Sequence, residues 1–169
     1  MFHSRRTRFE GIGVKTMNCI SCGKTAQRIY EMRPAKYRDD TVVVLDDFFR
    51  CESCGEEFVV PEQIREHAYE VKNAIRKKYA LLSPEKIVEI RQKARLTQAE
   101  LEELLGTGKK VVVRWEKGKV VQSAAHDLVL RLLDKDPQVV KRLKEFSRLR
   151  ARQREEYSKA HSHAAAHAT

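Results

Sequence analysis

The stretch Thr97–Gly118, TQAELEELLGTGKKVVVRWEKG, reads as two short helices joined by a tight turn. Thr97 and Glu100 have capping-box spacing: the Thr97 hydroxyl takes the Glu100 amide, and the Glu100 carboxylate reaches back to Thr97. Ala99, Leu101, Leu104 and Leu105 recur at helical steps and give the first helix an apolar side. Gly106-Thr107-Gly108 interrupts that pattern where the chain must turn. The second helix, expected over Lys109–Lys117, sets Val112 and Trp115 toward a core and Lys109, Lys110, Val113 and Arg114 away from it. Gly118 stands where a helix end favours left-handed backbone.

Outward from this stretch, Ser83-Pro84 is an N-cap followed by a first helical proline, opening a helix over Pro84–Arg95 with Ile87, Ile90, Arg91 and Ala94 on its faces. Ser123 caps another through about Asp134, carrying Ala125, Leu128, Val129, Leu132 and Leu133. Asp136-Pro137 starts a fifth helix, with Val139, Val140, Leu143 and Phe146. Residues 83–146 thus read as an all-α helix-turn-helix domain of about five helices around one small core.

In a helix-turn-helix the second helix enters the major groove of DNA. Arg114 would fork onto guanine, Lys110 onto guanine or a phosphate, and Val113 onto a thymine methyl. Thr97 and Gln98 would hold a phosphate at the start of the preceding helix. Lys109 points to the same side, and Lys117 and Lys119 would add sequence-independent affinity. One such module buries too little surface for tight, specific binding. A homodimer through this domain, on a two-fold double-stranded operator, is therefore expected. Leu128, Leu132, Leu133 and Val140 read equally as that contact or as core.

Cys19-Ile20-Ser21-Cys22-Gly23 and Cys51-Glu52-Ser53-Cys54-Gly55 are near copies of one another. A two-residue gap lets both sulfurs of a pair reach one ion, and the glycine lets the backbone turn around it. Cys19, Cys22, Cys51 and Cys54 are therefore the expected ligands of one structural zinc ion per chain. Paired knuckles fit a dithiol oxidoreductase badly. Between them Gln27–Met32, Thr41–Leu45 and Phe48–Arg50 are strand candidates, with Asp46-Asp47 as the turn between the last two. Residues 17–60 are thus an α+β metal module with a small β-sheet. His67 reads as a surface or packing histidine. From Cys19 to Val60 six bases face eight acids, so the basic excess of the chain lies elsewhere, and this module suits a basic protein partner better than DNA. Residues 61–82 are a linking helix from Pro61 to about Ala80, with Ile64, Ala68, Val71, Ile75 and Tyr79 as its apolar stripe.

The whole chain of 169 residues has 34 Lys+Arg against 24 Asp+Glu, a net charge of +10, which favours a polyanionic partner. No stretch is long and apolar enough to span a bilayer, no secretory signal is visible, and a cytoplasmic location is expected. Residues 1–16 carry Arg5, Arg6, Arg8 and Lys15 without apolar periodicity and are expected to be disordered. They read either as an extension ahead of a start at Met17 or as a basic arm adding phosphate contacts. Residues 147–169, basic and then HSHAAAHAT, are expected to be a disordered basic tail. No nucleophile–base pair, phosphate-cradling glycine loop or HExxH is present, so no catalytic residue is assigned.

MNCISC, CESC and RQKARLTQAELEELLGTGKKVVVRWEKGK, in that order and joined by a linking helix, resemble the MqsA antitoxin family, which has a YgiT-type zinc finger followed by an Xre-type helix-turn-helix. The resemblance covers about Met17–Phe146. It implies a type II toxin–antitoxin antitoxin, whose zinc module binds a small ribonuclease toxin and whose C-terminal domain dimerises and represses the operon. By position Arg114 matches the base-reading arginine of that family. Lys110 stands where the best-known members have a base-reading asparagine, which implies a different operator. Glu102 occupies a position that is often small in this motif, where different helix packing is expected. The alternative is a free-standing zinc-ribbon and helix-turn-helix regulator without a toxin.

Overall fold

The computed structural model describes residues 15–165, and residues 1–14, most of the N-terminal extension considered above, lie outside them. The chain forms two compact units, divided between Ala74 and Ile75.

The first unit holds a four-stranded antiparallel meander, β1 (Thr16–Asn18), β2 (Thr25–Tyr37), β3 (Asp40–Cys51) and β4 (Glu57–Phe58), in the order β1-β2-β3-β4. Thr16, expected in the extension, already pairs with Gln27. β2 and β3 are one long hairpin, in register from Ala26 opposite Cys51 to Tyr37 opposite Asp40. Its turn is Arg38-Asp39, with Arg38 at φ 55°, and not Asp46-Asp47 as the sequence suggested. The reason is tertiary. Asp47 is buried, receives Arg28 Nε at 2.8 Å and Gln63 Nε2 at 2.7 Å, and so is held within the strand. Asp46 faces His67 Nδ1 at 3.1 Å. Ala26, Phe49 and Cys51 pack with Cys19, covered by Phe58 and Val60, and the Phe49 and Phe58 rings stack at 5.5 Å.

Helix α1 (Pro61–Lys78) runs across the division. Of the expected stripe, Val71 and Ile75 are buried, whereas Ile64 and Tyr79 are exposed. Gln63 takes the buried place at the helix start: its Oε1 accepts the Val60 amide at 2.9 Å while its Nε2 binds Asp47. A polar side chain satisfying two partners at once is buried at little cost, so the apolar period misled at this turn.

The second unit has α2 (Pro84–Lys93), α3 (Gln98–Leu105), α4 (Val111–Glu116), α5 (Ala124–Lys135) and α6 (Pro137–Ala165). Ser83 and Ser123 cap α2 and α5 through the amides of Lys86 and His126. Ile87, Ile90, Leu96, Leu101, Leu104, Val112, Trp115, Leu130 and Leu133 form the core, with Val139, Val140 and Leu143 packed against it. Ala99 and Ala125 are exposed, and so are Leu128, Leu132 and Phe146. Helix α5 is rotated so that Asp127, Leu130 and Leu133 face inward. The rotation follows Asp127, whose carboxylate accepts the Leu82 amide at 2.7 Å, Gln122 Nε2 at 3.1 Å and Arg131 Nε at 2.6 Å. The tail expected to be disordered over residues 147–169 is helical as far as Ala165, where α6 ends; residues 166–169 lie outside the described residues.

Candidate metal centre and nucleic-acid interface

The two knuckles are built alike. Cys19 N–H donates to Lys24 O at 2.7 Å and Gly23 N–H to Cys19 O at 3.0 Å; Cys51 N–H donates to Glu56 O and Gly55 N–H to Cys51 O, both at 2.9 Å. Gly23 and Gly55 have φ of +73° and +76°, and a methyl group on either would meet nothing within 4 Å. It is therefore the left-handed backbone, and not lack of space, that calls for glycine. The pairing of Ala26 with Cys51 sets one knuckle beside the other.

The four sulfurs lie within 4.8 Å of one another, and Cys19–Cys54 and Cys22–Cys51 are each separated by 3.6 Å. Four thiolates bonded at about 2.3 Å to a central ion would be separated by about 3.8 Å along each tetrahedron edge. The donor set therefore fits a structural metal ion, with Cys19 and Cys51 buried beneath it and Cys22 and Cys54 toward solvent. Thiol protons alone give an uneven cluster. Burial raises the Cys51 thiol, but the Cys54 and Ser53 amides and the Cys22 thiol bring it down to about 7. The Glu56 amide favours the Cys54 thiolate, yet the Cys22 and Cys19 thiols push it up to about 12. Only a cation lets all four ionise together. His67 stands with Asp46, apart from these thiols.

In the second unit the capping box forms as expected: Glu100 N–H donates to Thr97 Oγ1 at 3.2 Å and Thr97 N–H to Glu100 Oε2 at 2.7 Å. Helix α3 closes on left-handed Gly106, and α4 on left-handed Gly118, where Lys119 N–H returns to Arg114 O at 2.8 Å. The second helix is shorter than expected. Lys109 and Lys110 precede it, and Lys110 has φ 62°. The residue that holds this turn is Glu102, whose buried carboxylate accepts the Lys110 amide and the Val112 amide, both at 3.0 Å. A glutamate from the preceding helix thus does the work of an N-cap for α4. Glu102 stood out in the sequence only as large where small residues are usual.

Lys109, Lys110, Arg114, Lys117 and Lys119 are exposed, Val113 is half-buried, and Val112 and Trp115 are buried on the opposite side. Arg114 Nε donates back to Lys110 O at 3.2 Å. Thr97 is exposed at the start of α3. Gln98 is half-buried, and its amide donates to Glu116 Oε2 at 2.6 Å; the nitrogen carries a second hydrogen for another acceptor. Glu116 also receives Arg91 Nε and Nη2, so one buried carboxylate braces α2, α3 and α4. The bracing roles of Glu116 and Glu102 were not identified from the sequence, because each acts through partners 8 to 25 positions away. No helix among the described residues is long and apolar enough to cross a membrane.

Residues 17–144 match the family model described as the antitoxin component of bacterial toxin–antitoxin systems, MqsA. Antitoxin MqsA of Escherichia coli (strain K12) is 36% identical over 63 residues, which make up 37% of this chain and 48% of that protein. The chain thus spans about half the length of this curated relative. With two matched knuckles ahead of a five-helix domain, and the family model covering both, the chain belongs to the MqsA antitoxin family.

Proposed function

We propose that this antitoxin is a DNA-binding autorepressor whose first unit, held by zinc, binds a ribonuclease toxin. The observation that carries the DNA half is the two-sided helix α4. Val112 and Trp115 anchor it, which leaves Lys109, Lys110 and Arg114 exposed together around its first turns. Arg114 reads guanine, Lys110 reads guanine or holds a phosphate, and Val113 meets a thymine methyl. Thr97 and the second Gln98 hydrogen face a phosphate, with Lys117 and Lys119 on flanking ones. Ala125, Leu128 and Leu132 form an exposed stripe along α5 that suits the homodimer contact. The test is binding of the full chain to duplex DNA from upstream of its own reading frame. Arg114→Ala is expected to cost about 1–3 kcal/mol and to relax sequence preference. An unchanged footprint would overturn the assignment.

The toxin half rests on family membership and on one surface. Tyr30, Met32 and Val43 are exposed on the face of the long hairpin shared by residues 30, 32 and 43, on a module richer in acids than bases. An apolar strip on a module richer in acids than bases suits a small basic protein. Co-purification of the native chain with a small basic ribonuclease is expected, and its absence would favour a free-standing regulator. Four thiolates with no open position suit zinc as a structural ion. Metal analysis should find one zinc per chain, retained until the first unit is denatured.

A further inference from the structure

Helix α6 is longer than its domain requires. It packs on α5 and α3 through Val139, Val140 and Leu143, and the family match ends at residue 144, yet the helix continues to Ala165. One charge interaction and one close approach give its course. Lys144 acts on the Glu100 carboxylate in the first turn of α3, and a methyl group on Gly106 would sit 3.0 Å from Arg150 Nη1. Both intervals are six residues, so the two helices run side by side in the same direction, at about 1.5 Å per residue. Helix α6 therefore passes the turn between α3 and α4, the turn that presents Lys109 and Lys110, and its last fifteen residues extend about 22 Å beyond.

The character of the helix changes at that point. The stripe that begins with Val139 and Leu143 continues through Ser147, Arg150, Arg154, Tyr157 and His161 at the same three- and four-residue steps. Tyr157 and His161 stack at 3.8 Å. Between Ser147 and Ala160 five basic residues accompany two acidic ones, and all are exposed from Arg148 onward. Among the described residues no carboxylate lies within ion-pair distance of Arg150 or Arg154; Arg152 stands 3.8 Å from Glu156.

We propose that the overhanging part of α6 is a second DNA-binding element. Arg150 and Arg154 hold phosphates of the duplex next to the segment read by α4 and so lengthen the footprint without reading sequence. This rests on the proposed role of α4. Duplex DNA is the occupant because the overhang leaves the domain at Gly106, in the turn that leads to Lys109 and Lys110, the stripe turns from apolar to cationic there, and the charge is spread along the helix as a backbone would require.

The experiment compares the full chain with Arg150→Gln/Arg154→Gln, with Arg154→Glu at an exposed position of α6, and with Arg114→Ala. The probes are duplex DNA from upstream of the reading frame and a 30-base single-stranded RNA, with fluorescence of Trp115 as the check on folding. The double variant is expected to lower the slope of log K against log salt by about 2, one phosphate contact each, and to shorten the hydroxyl-radical footprint with sequence preference unchanged. Arg154→Glu should weaken binding in the same direction, and Arg114→Ala should instead relax preference. Unaltered slope and footprint in both α6 variants, with Arg114→Ala still relaxing preference, would overturn the proposal and leave the role of α4 intact. Absence of duplex binding by the parent chain would overturn both. Loss confined to the RNA probe would also overturn it.

Discussion

Glu102 offers the sharpest test of how the turn before α4 is held. The residue is 9% exposed, and its carboxylate accepts two amides at 3.0 Å, Lys110 N–H and Val112 N–H. Replacing it by alanine removes two hydrogen bonds to a charged acceptor and leaves the buried Val112 amide without a partner. A net hydrogen bond to a charged group is worth about 1.5–3 kcal/mol, and an unsatisfied buried donor costs about 1–3 kcal/mol. Because neighbouring losses are not additive, Glu102→Ala is expected to destabilise the second unit by about 2–4 kcal/mol. For a unit of roughly 90 residues that lowers the melting midpoint by roughly 10 °C or more. The single tryptophan, Trp115, is buried in this unit's core, so its fluorescence follows the second unit alone. Glu102→Gln keeps one acceptor oxygen and should lose roughly half as much. A Trp115 transition unmoved in Glu102→Ala, or equal losses in the two variants, would refute the capping role.

Three further outcomes follow from the same contacts. Cys51→Ser, at a buried sulfur of the metal cluster, should release the ion and unfold the first unit by amide exchange, with the Trp115 transition retained; joint loss of both would mean that the units do not fold independently. Burial works against the Asp127 carboxylate, but the Leu82 amide, Arg131 and Gln122 outweigh it and hold its pKa below the ordinary value. That contribution is present above the unfolded-state pKa of about 4 and disappears as pH falls through the lower folded value. Asp127→Asn should therefore flatten the acid limb of the second unit's stability, and an acid limb identical to the parent's would refute it. Asp47→Ala should destabilise the first unit by about 3–5 kcal/mol, because it removes the buried carboxylate that the Arg28 guanidinium and the Gln63 amide both bind; a loss below about 1 kcal/mol, read by amide exchange in β2 and β3, would show that the pair is not what holds Asp47 in its strand.

Features that depend on neighbours in sequence were legible in the sequence itself. The cysteine spacing, the glycine after each pair, the Ser83, Thr97 and Ser123 caps and the burial of Val112 with Trp115 all follow from spacing within one turn or one knuckle, where backbone geometry leaves few choices. Tertiary structure decided the rest, for one physical reason: a buried polar group goes where its partner is. Asp47 became strand and not turn because Arg28 and Gln63 meet it. Leu130 and not Leu128 faces the core because Asp127 must reach Leu82 and Gln122. Glu102 holds α4 from another helix, and α6 carries its charges past the turn because α3 lies alongside to guide it. Composition put the basic excess outside Cys19–Val60; only the packing of α6 on α3 set Arg150 against Gly106, in the turn that leads to Lys109 and Lys110.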